Sequence, residues 1–201
     1  MKTTRTKTPA VRRQQILQAA KNILVEQGYS EVLLDEVAKK AGVAKGTLYL
    51  YFKDKAHLYA AVMENLMDAS EIRLRAVTLS PNLPPLQKLK RTFEDMLEFF
   101  DENKDFIMQC GHAKSQLVGK RAEQDLRDRW ERHLNFLSEI PEACIKSGDL
   151  RAHDPITAAR LMVALVRMFM IRRITKGGKP LRSHTAEVMD LFLHGLGRHE
   201  S

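Results

Sequence analysis

Residues 41–52 of this 201-residue chain read AGVAKGTLYLYF. Apolar side chains along one side of residues 34–41 predict a short helix, and Gly42 supplies the backbone conformation that ends it. The residues that follow can form two turns of helix, in which Leu48 and Phe52 are four apart and face inward. Two short helices joined by a tight glycine-containing turn form a helix-turn-helix, whose second helix enters the major groove of DNA. This stretch therefore predicts a DNA-reading motif.

The exposed side chains of the second helix suit contact with DNA. Lys45 carries a charge, and Thr47 has a hydroxyl and a methyl group. Tyr49 and Tyr51 each combine a flat apolar ring with a polar tip, so rings and methyl groups can touch thymine methyls while the polar atoms reach phosphate oxygens. Gly46 has no side chain and lets the backbone approach a DNA strand. The alternative interpretation makes both tyrosines packing residues, but the glycine turn, basic flank and aromatic helix together favour DNA contact.

Helices are predicted on both sides of this motif. Thr8 and Pro9 form the N-cap and first residue of a helix. An apolar stripe carries that helix to about residue 27, and Gly28 ends it. Asp54 is a suitable N-cap for a fourth helix that runs toward Ala76.

The basic residues are concentrated near the amino terminus. The chain holds 33 Lys+Arg and 25 Asp+Glu, a net charge of +8, which favours polyanionic partners such as nucleic acid or an anionic membrane surface. Residues 1–55 hold 11 of the bases and 5 of the acids, a net of +6, as expected if one face meets phosphates. A solvated basic tail is the alternative. The helix-turn-helix pattern favours DNA over the membrane.

The sequence contains no apparent targeting or membrane-spanning segment. The first ten residues lack the apolar stretch of a signal peptide. The run Leu161–Val166 has six apolar residues, against the roughly 20 that a membrane-spanning helix needs. Cys110 and Cys144 are too few for a disulfide framework. We therefore expect a soluble, cytoplasmic protein with reduced thiols.

A family resemblance rests on many spaced positions across about residues 11–60. The matching residues are Gly28-Tyr29, Asp35-Glu36-Val37-Ala38, the stretch 41–52, Asp54-Lys55 and Leu58. In these residues the chain resembles the TetR family of ligand-responsive transcriptional regulators. The resemblance implies that Lys45, Thr47, Tyr49 and Tyr51 lie on the recognition helix and that Lys55, at the start of the fourth helix, contacts phosphate.

Two positions depart from the family pattern. Leu33 stands where the family usually has Thr or Ser to cap the second helix, and Ala44 stands where it usually has Ser or Thr before the third. Replacing such a cap by an apolar residue costs about 1 kcal/mol, and Ala44 also removes a hydroxyl suited to phosphate. We therefore expect a DNA reader with its own operator preference, without either contact.

The remaining two thirds of the chain predicts more helices and no sheet. We expect an all-α fold of about nine helices, with a helix-turn-helix DNA-binding domain at residues 1–55 and an effector-binding and dimerisation domain at residues 56–201. Pro141 should kink or break the helix that contains it. The helices predicted after the fourth cover about residues 86–100, 104–118, 120–148, 155–175 and 183–196.

The last two helices are predicted to pair two subunits. Residues 161–171 are apolar on nearly every side apart from Arg167, and such a surface usually meets a partner. A two-fold dimer reads two half-sites about one turn of DNA apart, and the resemblance implies the same arrangement. We expect a homodimer through residues 155–196 that binds a palindromic operator in double-stranded DNA.

Soft and aromatic side chains of the second domain could line a ligand cavity. The nine methionines fit an adaptable apolar pocket, although residues at helical spacing belong more often to the core. In the TetR family, which this chain resembles, an effector changes the spacing of the two DNA-binding domains of the dimer. We expect a hydrophobic small molecule to lower operator affinity. The candidate lining residues are Met67, Phe93, Met96, Phe100, Phe106, Met108, Trp130, Phe136 and Met162.

Patterns for catalysis and metal binding are weak. Cys110 and His112 are two apart and point away from each other on a helix, and His133 and Cys144 are eleven apart. No phosphate loop, zinc-protease motif or nucleophile elbow occurs. We expect no enzyme activity, no metal and no cofactor. We expect a ligand-responsive repressor. Two alternatives remain: an activator, because the sign of regulation depends on operator position, and a ligand-binding adaptor that has lost operator reading, which the two missing caps support.

Overall fold

The computed structural model describes residues 8–110 and 120–196 of the chain. These described residues form nine α-helices and one short 3-10 helix and contain no strand, which confirms the predicted all-α class. The 3-10 helix covers Leu181–His184. The α-helices are α1 Pro9–Glu31, α2 Leu34–Ala41, α3 Lys45–Tyr51, α4 Lys55–Thr78, α5 Pro85–Cys110, α6 Lys120–Leu137, α7 Glu139–Ser147, α8 Pro155–Lys176 and α9 Thr185–Leu196.

Helix α1 starts as predicted and continues past its predicted end. The Thr8 hydroxyl caps it by accepting a hydrogen bond from the Val11 amide at 3.4 Å. Gly28 has a φ of 78°, so the regular helix kinks there, and a last turn follows to Glu31. The ring of Tyr29 in that turn is buried and meets Tyr59 edge-on at 5.1 Å. Gly28 therefore ends the regular part of α1 as predicted, and packing of Tyr29 holds the additional turn in place.

Helices α2 and α3 form the predicted helix-turn-helix. Gly42 adopts a left-handed conformation with a φ of 66°, and its amide bonds back to the Ala38 and Lys39 carbonyls. The Val43 amide also donates to the Ala38 carbonyl at 3.0 Å. These bonds satisfy the carbonyls that α2 leaves open at its end. Leu48 is fully buried below α3, so the predicted inward face of this helix is correct.

Neither α2 nor α3 has a side-chain cap at its N-terminus. Leu33 and Ala44 occupy the two N-cap positions, and neither makes a side-chain hydrogen bond there. Because Leu33 is 60% exposed, we expect Leu33→Thr to supply the missing acceptor and raise stability by about 1 kcal/mol. Thermal unfolding of the full chain measures this gain. Leu33→Ala is the matched control, and equal melting temperatures for Thr and Ala would contradict the capping argument.

Helix α5 is one continuous helix where two were predicted. The expected break before Lys104 is wrong, and side-chain contacts support the polar residues at this point of the helix. The buried Asn103 amide donates to the Phe99 carbonyl at 2.6 Å, and Glu102 pairs with Arg73 at 2.6 Å. The remainder of the second predicted helix, residues 111–118, lies outside the described residues.

Proline and capping signals set the boundaries of the later helices. Helix α6 ends at Leu137, four residues before Pro141, which is where the proline ring would clash with the carbonyl of the preceding turn. The predicted break is therefore confirmed. Asp154 caps α8 by accepting from the Thr157 amide at 2.8 Å. The last α-helix starts at Thr185 rather than near residue 183, because the 3-10 turn precedes it.

The chain packs as two compact units. Unit 1 contains the described parts of residues 1–66 and 105–127, and unit 2 contains those of residues 67–104 and 128–201. The boundaries fall inside α4, α5 and α6, so packing units and the functional domains predicted at 1–55 and 56–201 are different divisions of the chain. That functional division stays a prediction. None of the helices in the described parts has the length and apolar character that crossing a bilayer requires.

Candidate nucleic-acid interface

The outward face of α3 carries the candidate interface. Leu48 is fully buried in the unit 1 core, so the opposite side of α3 is turned to solvent. Gly46 is exposed on it, Tyr49 is 44% exposed and Thr47 is half-buried at its edges, and Lys45 is exposed at the N-terminus of the helix. The structure therefore brings four of the predicted DNA-contacting residues to one short helix surface.

Lys45 forms an ion pair across the motif. Its Nζ lies 2.8 Å from Asp35 Oδ2 on α2, and both side chains are mostly exposed. The hydrogen bond to Asp35 raises the pKa of Lys45 above its ordinary value, and the negative charge of Asp35 adds to the effect. The lysine is thus held charged beside the α3 N-terminus, and a phosphate would have to compete with Asp35 for it.

We expect Asp35→Asn to strengthen DNA binding. The change removes the charge that competes for Lys45, and because exposed ion pairs contribute up to about 1 kcal/mol, affinity should rise by about two- to fivefold. The logarithmic salt dependence should also become steeper. Fluorescence anisotropy between 50 and 200 mM salt measures both. The control is Glu26→Gln, which removes the same charge from another ion pair, to Lys40; equal gains in both variants would contradict a role for Lys45.

Tyr51 lies apart from the exposed surface. Its side chain is half-buried, its hydroxyl donates to the Pro9 carbonyl at 3.3 Å, and its ring lies 6.3 Å from that of Phe52. The residue therefore ties α3 to the start of α1. The sequence left open that both tyrosines are packing residues. In the structure Tyr51 packs in this way, whereas Tyr49 is exposed.

Lys55 is anchored inside unit 1 at the start of α4. Its Nζ donates to the Ser30 carbonyl at 2.6 Å and lies 4.9 Å from the centre of the Tyr29 ring. Burial raises the pKa of that tyrosine, with a smaller contribution from Asp54. An ammonium has three donors, so the bond to Ser30 leaves two that could serve a phosphate. The adjacent Asp54 caps α4 by accepting from the His57 amide at 2.7 Å.

Sequence reasoning missed two residues of this surface. Leu50 is 85% exposed on α3, although a leucine in a short amphipathic helix is assigned to the core by default. Its spacing of two residues from buried Leu48 was the available signal, because such a pair faces opposite sides of a helix. Asp35 lies on α2, and its pairing with Lys45 depends on the turn between the two helices.

The candidate ligand-lining residues divide between the two units. Phe106 is fully buried in the unit 1 core, and Met108 belongs to the same unit. The other seven belong to unit 2, so the structure does not bring the predicted set together in one core. Phe93, Met96 and Met162 are buried there. Met67, Phe100, Trp130 and Phe136 are half-buried.

In the described part of unit 2, four buried side-chain atoms lack a hydrogen-bond partner: Thr92 Oγ1, Asp101 Oδ1, His133 Nδ1 and Arg173 Nε. The Asp101 and Arg173 atoms lie 3.4 Å apart as an ion pair. His133 lies on α6 with its ring 5.7 Å from that of Trp130. Burial lowers the pKa of His133 below 6.5, an effect that Glu71 opposes and Arg129 adds to. Arg129 donates to both Asp68 and Glu71 on α4 at 2.6 Å, which joins α4 to α6 within this unit.

We expect acid to destabilise the fold through His133. In the unfolded chain the imidazole titrates at its ordinary pKa of 6.5, whereas the folded state resists protonation. Stability is therefore retained above pH 6.5 and lost as pH falls from there through the lower folded-state pKa, with a slope of at most about 1.4 kcal/mol per pH unit. Urea unfolding between pH 5 and 8 measures that slope. His133→Gln should flatten it, whereas the exposed control His153→Gln should not; an unchanged slope in His133→Gln would contradict the assignment.

The cysteine and histidine pairs gain no support as a reactive or metal site. Cys144 is buried, and burial raises the pKa of its thiol to about 12, with a contribution from Asp149. A thiol of this kind is unreactive. No group of three or more metal-ligating side chains occurs in the part of the chain that the structure describes. His112 and the Cys110 side chain lie outside that part.

The last two helices expose apolar side chains. Met168 and Ile171 on α8 are 50% and 41% exposed, and Leu191 on α9 is 45% exposed. Phe169 and Met170 on α8, by contrast, are buried in unit 2. Helices α8 and α9 also pack on each other. Each helix therefore has one face in the core and apolar groups on another face.

Comparison with known proteins places these features in a family. A model described as bacterial regulatory proteins of the tetR family matches residues 16–62. The HTH-type transcriptional regulator YhgD of Bacillus subtilis (strain 168) is 30% identical over 185 residues, which cover 90% of this chain and 94% of that protein. The HTH-type transcriptional repressor BepR of Brucella suis biovar 1 (strain 1330) is 27% identical over 199 residues, or 95% and 90% of the two chains.

A solved structure has the same fold. The transcriptional regulator FadR from Bacillus subtilis, in complex with stearoyl-CoA, superposes with a TM-score of 0.78 at 22% sequence identity. The match covers 92% of this chain and 99% of that one.

Proposed function

Because this chain belongs to the tetR family of bacterial regulatory proteins, a class of DNA-binding transcriptional regulators and not of enzymes, we propose that it is a ligand-responsive repressor. It binds a palindromic operator as a homodimer and leaves it when a hydrophobic small molecule binds. The observation that supports DNA binding by this surface is the exposure of α3. Lys45, Gly46 and Tyr49 of this helix are exposed to solvent, and buried Leu48 anchors the helix to the core.

The α3 surface combines the two kinds of contact that operator binding needs. Lys45 supplies a charge for phosphate, and the Tyr49 ring and hydroxyl can contact a base edge or the backbone. Thr47, Tyr51 and Lys55 complete the proposed set, the last two from more buried positions. Tyr51 and Lys55 then contribute chiefly by holding α3 and α4 to α1, because their polar atoms bond the Pro9 and Ser30 carbonyls.

The proposed dimer forms through α8 and α9. Exposed apolar groups on both helices, Met168, Ile171 and Leu191, support it, because apolar surface left exposed on a protein can mark a contact with a partner. In a two-fold interface each of these groups appears twice, so the apolar surface available for burial doubles. Dimerisation in turn places two α3 helices for two half-sites of a palindrome.

The proposed effector is apolar and binds unit 2. Phe93, Met96 and Met162 supply adaptable apolar surface there. The similarly folded FadR of Bacillus subtilis was solved with stearoyl-CoA, which makes long-chain acyl groups the first probes to use. Phe106 is buried in the unit 1 core, and its contact with the effector stays a prediction.

A paired binding assay tests the release mechanism. Stearoyl-CoA, its free fatty acid and coenzyme A alone are added to the full chain in thermal unfolding, and then to its complex with operator DNA in fluorescence anisotropy. We expect a compound that raises the melting temperature to lower operator affinity at the same concentrations. Coenzyme A alone, which lacks the acyl chain, is the control for binding through the polar part of stearoyl-CoA. Apolar compounds that bind the protein but leave operator affinity unchanged would contradict release by an effector.

A further inference from the structure

Leu50 is the most exposed large apolar side chain in the described residues, at 85%. It lies on α3, where fully buried Leu48 defines the inward direction. Successive residues of a helix are about 100° apart, so Leu50 and Gly46 lie about 200° and 160° round from Leu48. Both therefore stand at the centre of the outward face, and Thr47 and Tyr49 lie at its sides.

Gly46 keeps the surface beside Leu50 open. It is not among the glycines with positive φ, and an added Cβ would meet no atom within 4 Å. Neither backbone conformation nor packing against the described chain therefore requires glycine there, although glycine is less favourable than alanine inside a helix. A molecule that approaches α3 closely from outside would require the absence of a side chain at this position. Because residues four apart are neighbours on a helix, that molecule would also contact Leu50.

The chemistry of Leu50 limits what it can recognise. An aliphatic side chain cannot hydrogen-bond to phosphate, sugar or the polar edges of bases. The apolar group that the major groove presents is the C5-methyl of thymine. We propose that Leu50 reads the C5-methyl group of one thymine in each operator half-site. This assignment rests on the proposed function, in which α3 enters the major groove.

Leu50 and Lys45 would then contribute to DNA binding in different ways. Lys45 is charged and contacts phosphate, so it supplies affinity that falls with salt. Leu50 is uncharged, so it supplies preference for one base without changing the salt dependence. An exposed leucine also has no core contacts to lose, so its replacement should leave folding intact.

Replacement of thymine by deoxyuridine tests the contact, because it removes one methyl group and changes nothing else on the base edge. The probe is a palindrome selected from random double-stranded DNA by the full chain, resynthesised with each thymine in turn replaced in one half-site. For the unmodified protein we expect one position at which replacement lowers affinity about three- to tenfold, as loss of one buried methyl group predicts. In Leu50→Ala the same replacement should change affinity less than about 1.5-fold.

A second exposed leucine provides the control. Leu79, in the turn directly after α4, is 77% exposed, and Leu79→Ala should keep the full deoxyuridine effect and the original affinity. Leu50→Met, which keeps an apolar tip, should keep most of that effect. A selection that enriches no sequence would contradict the proposed function itself. An enriched palindrome without any deoxyuridine-sensitive position, or with the same effect in Leu50→Ala, would overturn the role of Leu50 alone.

Discussion

Met168→Glu is expected to convert the dimer into a monomer and to weaken operator binding by about 100-fold or more. Met168 is half exposed on α8, so a glutamate there does not disturb the core of one chain. In the proposed two-fold interface the change brings a carboxylate from each subunit into apolar surroundings without a partner, which is strongly unfavourable. A monomer then binds one half-site at a time and loses the gain from linked sites, which reaches 10²–10⁴-fold.

Analytical ultracentrifugation at micromolar concentration measures the first effect, and fluorescence anisotropy with operator DNA measures the second. Ile72→Glu is the matched control, because Ile72 is 70% exposed on α4 and not on α8 or α9. The control should remain dimeric and bind DNA as the unmodified chain does. A monomeric unmodified protein, or a dimeric Met168→Glu variant, would contradict an interface through the last two helices.

Leu48→Ala is expected to cost about 2–5 kcal/mol of stability and with it the specific binding of DNA. Leu48 is fully buried in unit 1, and removal of a buried leucine loses its transfer free energy and leaves a cavity. Leu48 is also the buried side chain of α3, so the cavity forms directly below the recognition helix. Loss of this contact therefore loosens the surface that carries Lys45 and Tyr49.

Leu50→Ala is the matched control for that change, since it removes the same atoms from the same helix. Leu50 is 85% exposed, so the free energy of unfolding should change by less than about 0.5 kcal/mol. Urea unfolding of both variants measures the difference. Equal losses of stability would contradict the orientation of α3 described above.

The sequence predicted the helix-turn-helix closely because its signals are local. Gly42 ends α2 through bonds to residues three and four positions away, and Leu48 sets the inward face of α3 by spacing alone. The roles of Tyr51 and Lys55 could not be predicted in the same way. Their partners, the Pro9 and Ser30 carbonyls, lie 42 and 25 residues away and are reached only by tertiary folding.

Long-range contacts also explain the errors in the second half of the chain. The sequence predicted separate helices at about residues 86–100 and 104–118, yet α5 continues between them, where distant basic side chains pair with its acids. Arg73 pairs with Glu102, and Arg173 lies 3.4 Å from Asp101. Phe106 shows the same limit, because helical spacing identified a buried residue but could not indicate which of two cores it joins.

Selection of bound sequences from random double-stranded DNA by the full chain tests the central claim most directly. If the chain is a dimeric regulator that reads DNA with two copies of α3, the selected DNA should contain a palindrome with half-sites about one or more helical turns apart. Its affinity should exceed that for random DNA by at least about 10³-fold. Enrichment of no sequence, or of single half-sites without a symmetric partner, would contradict the account.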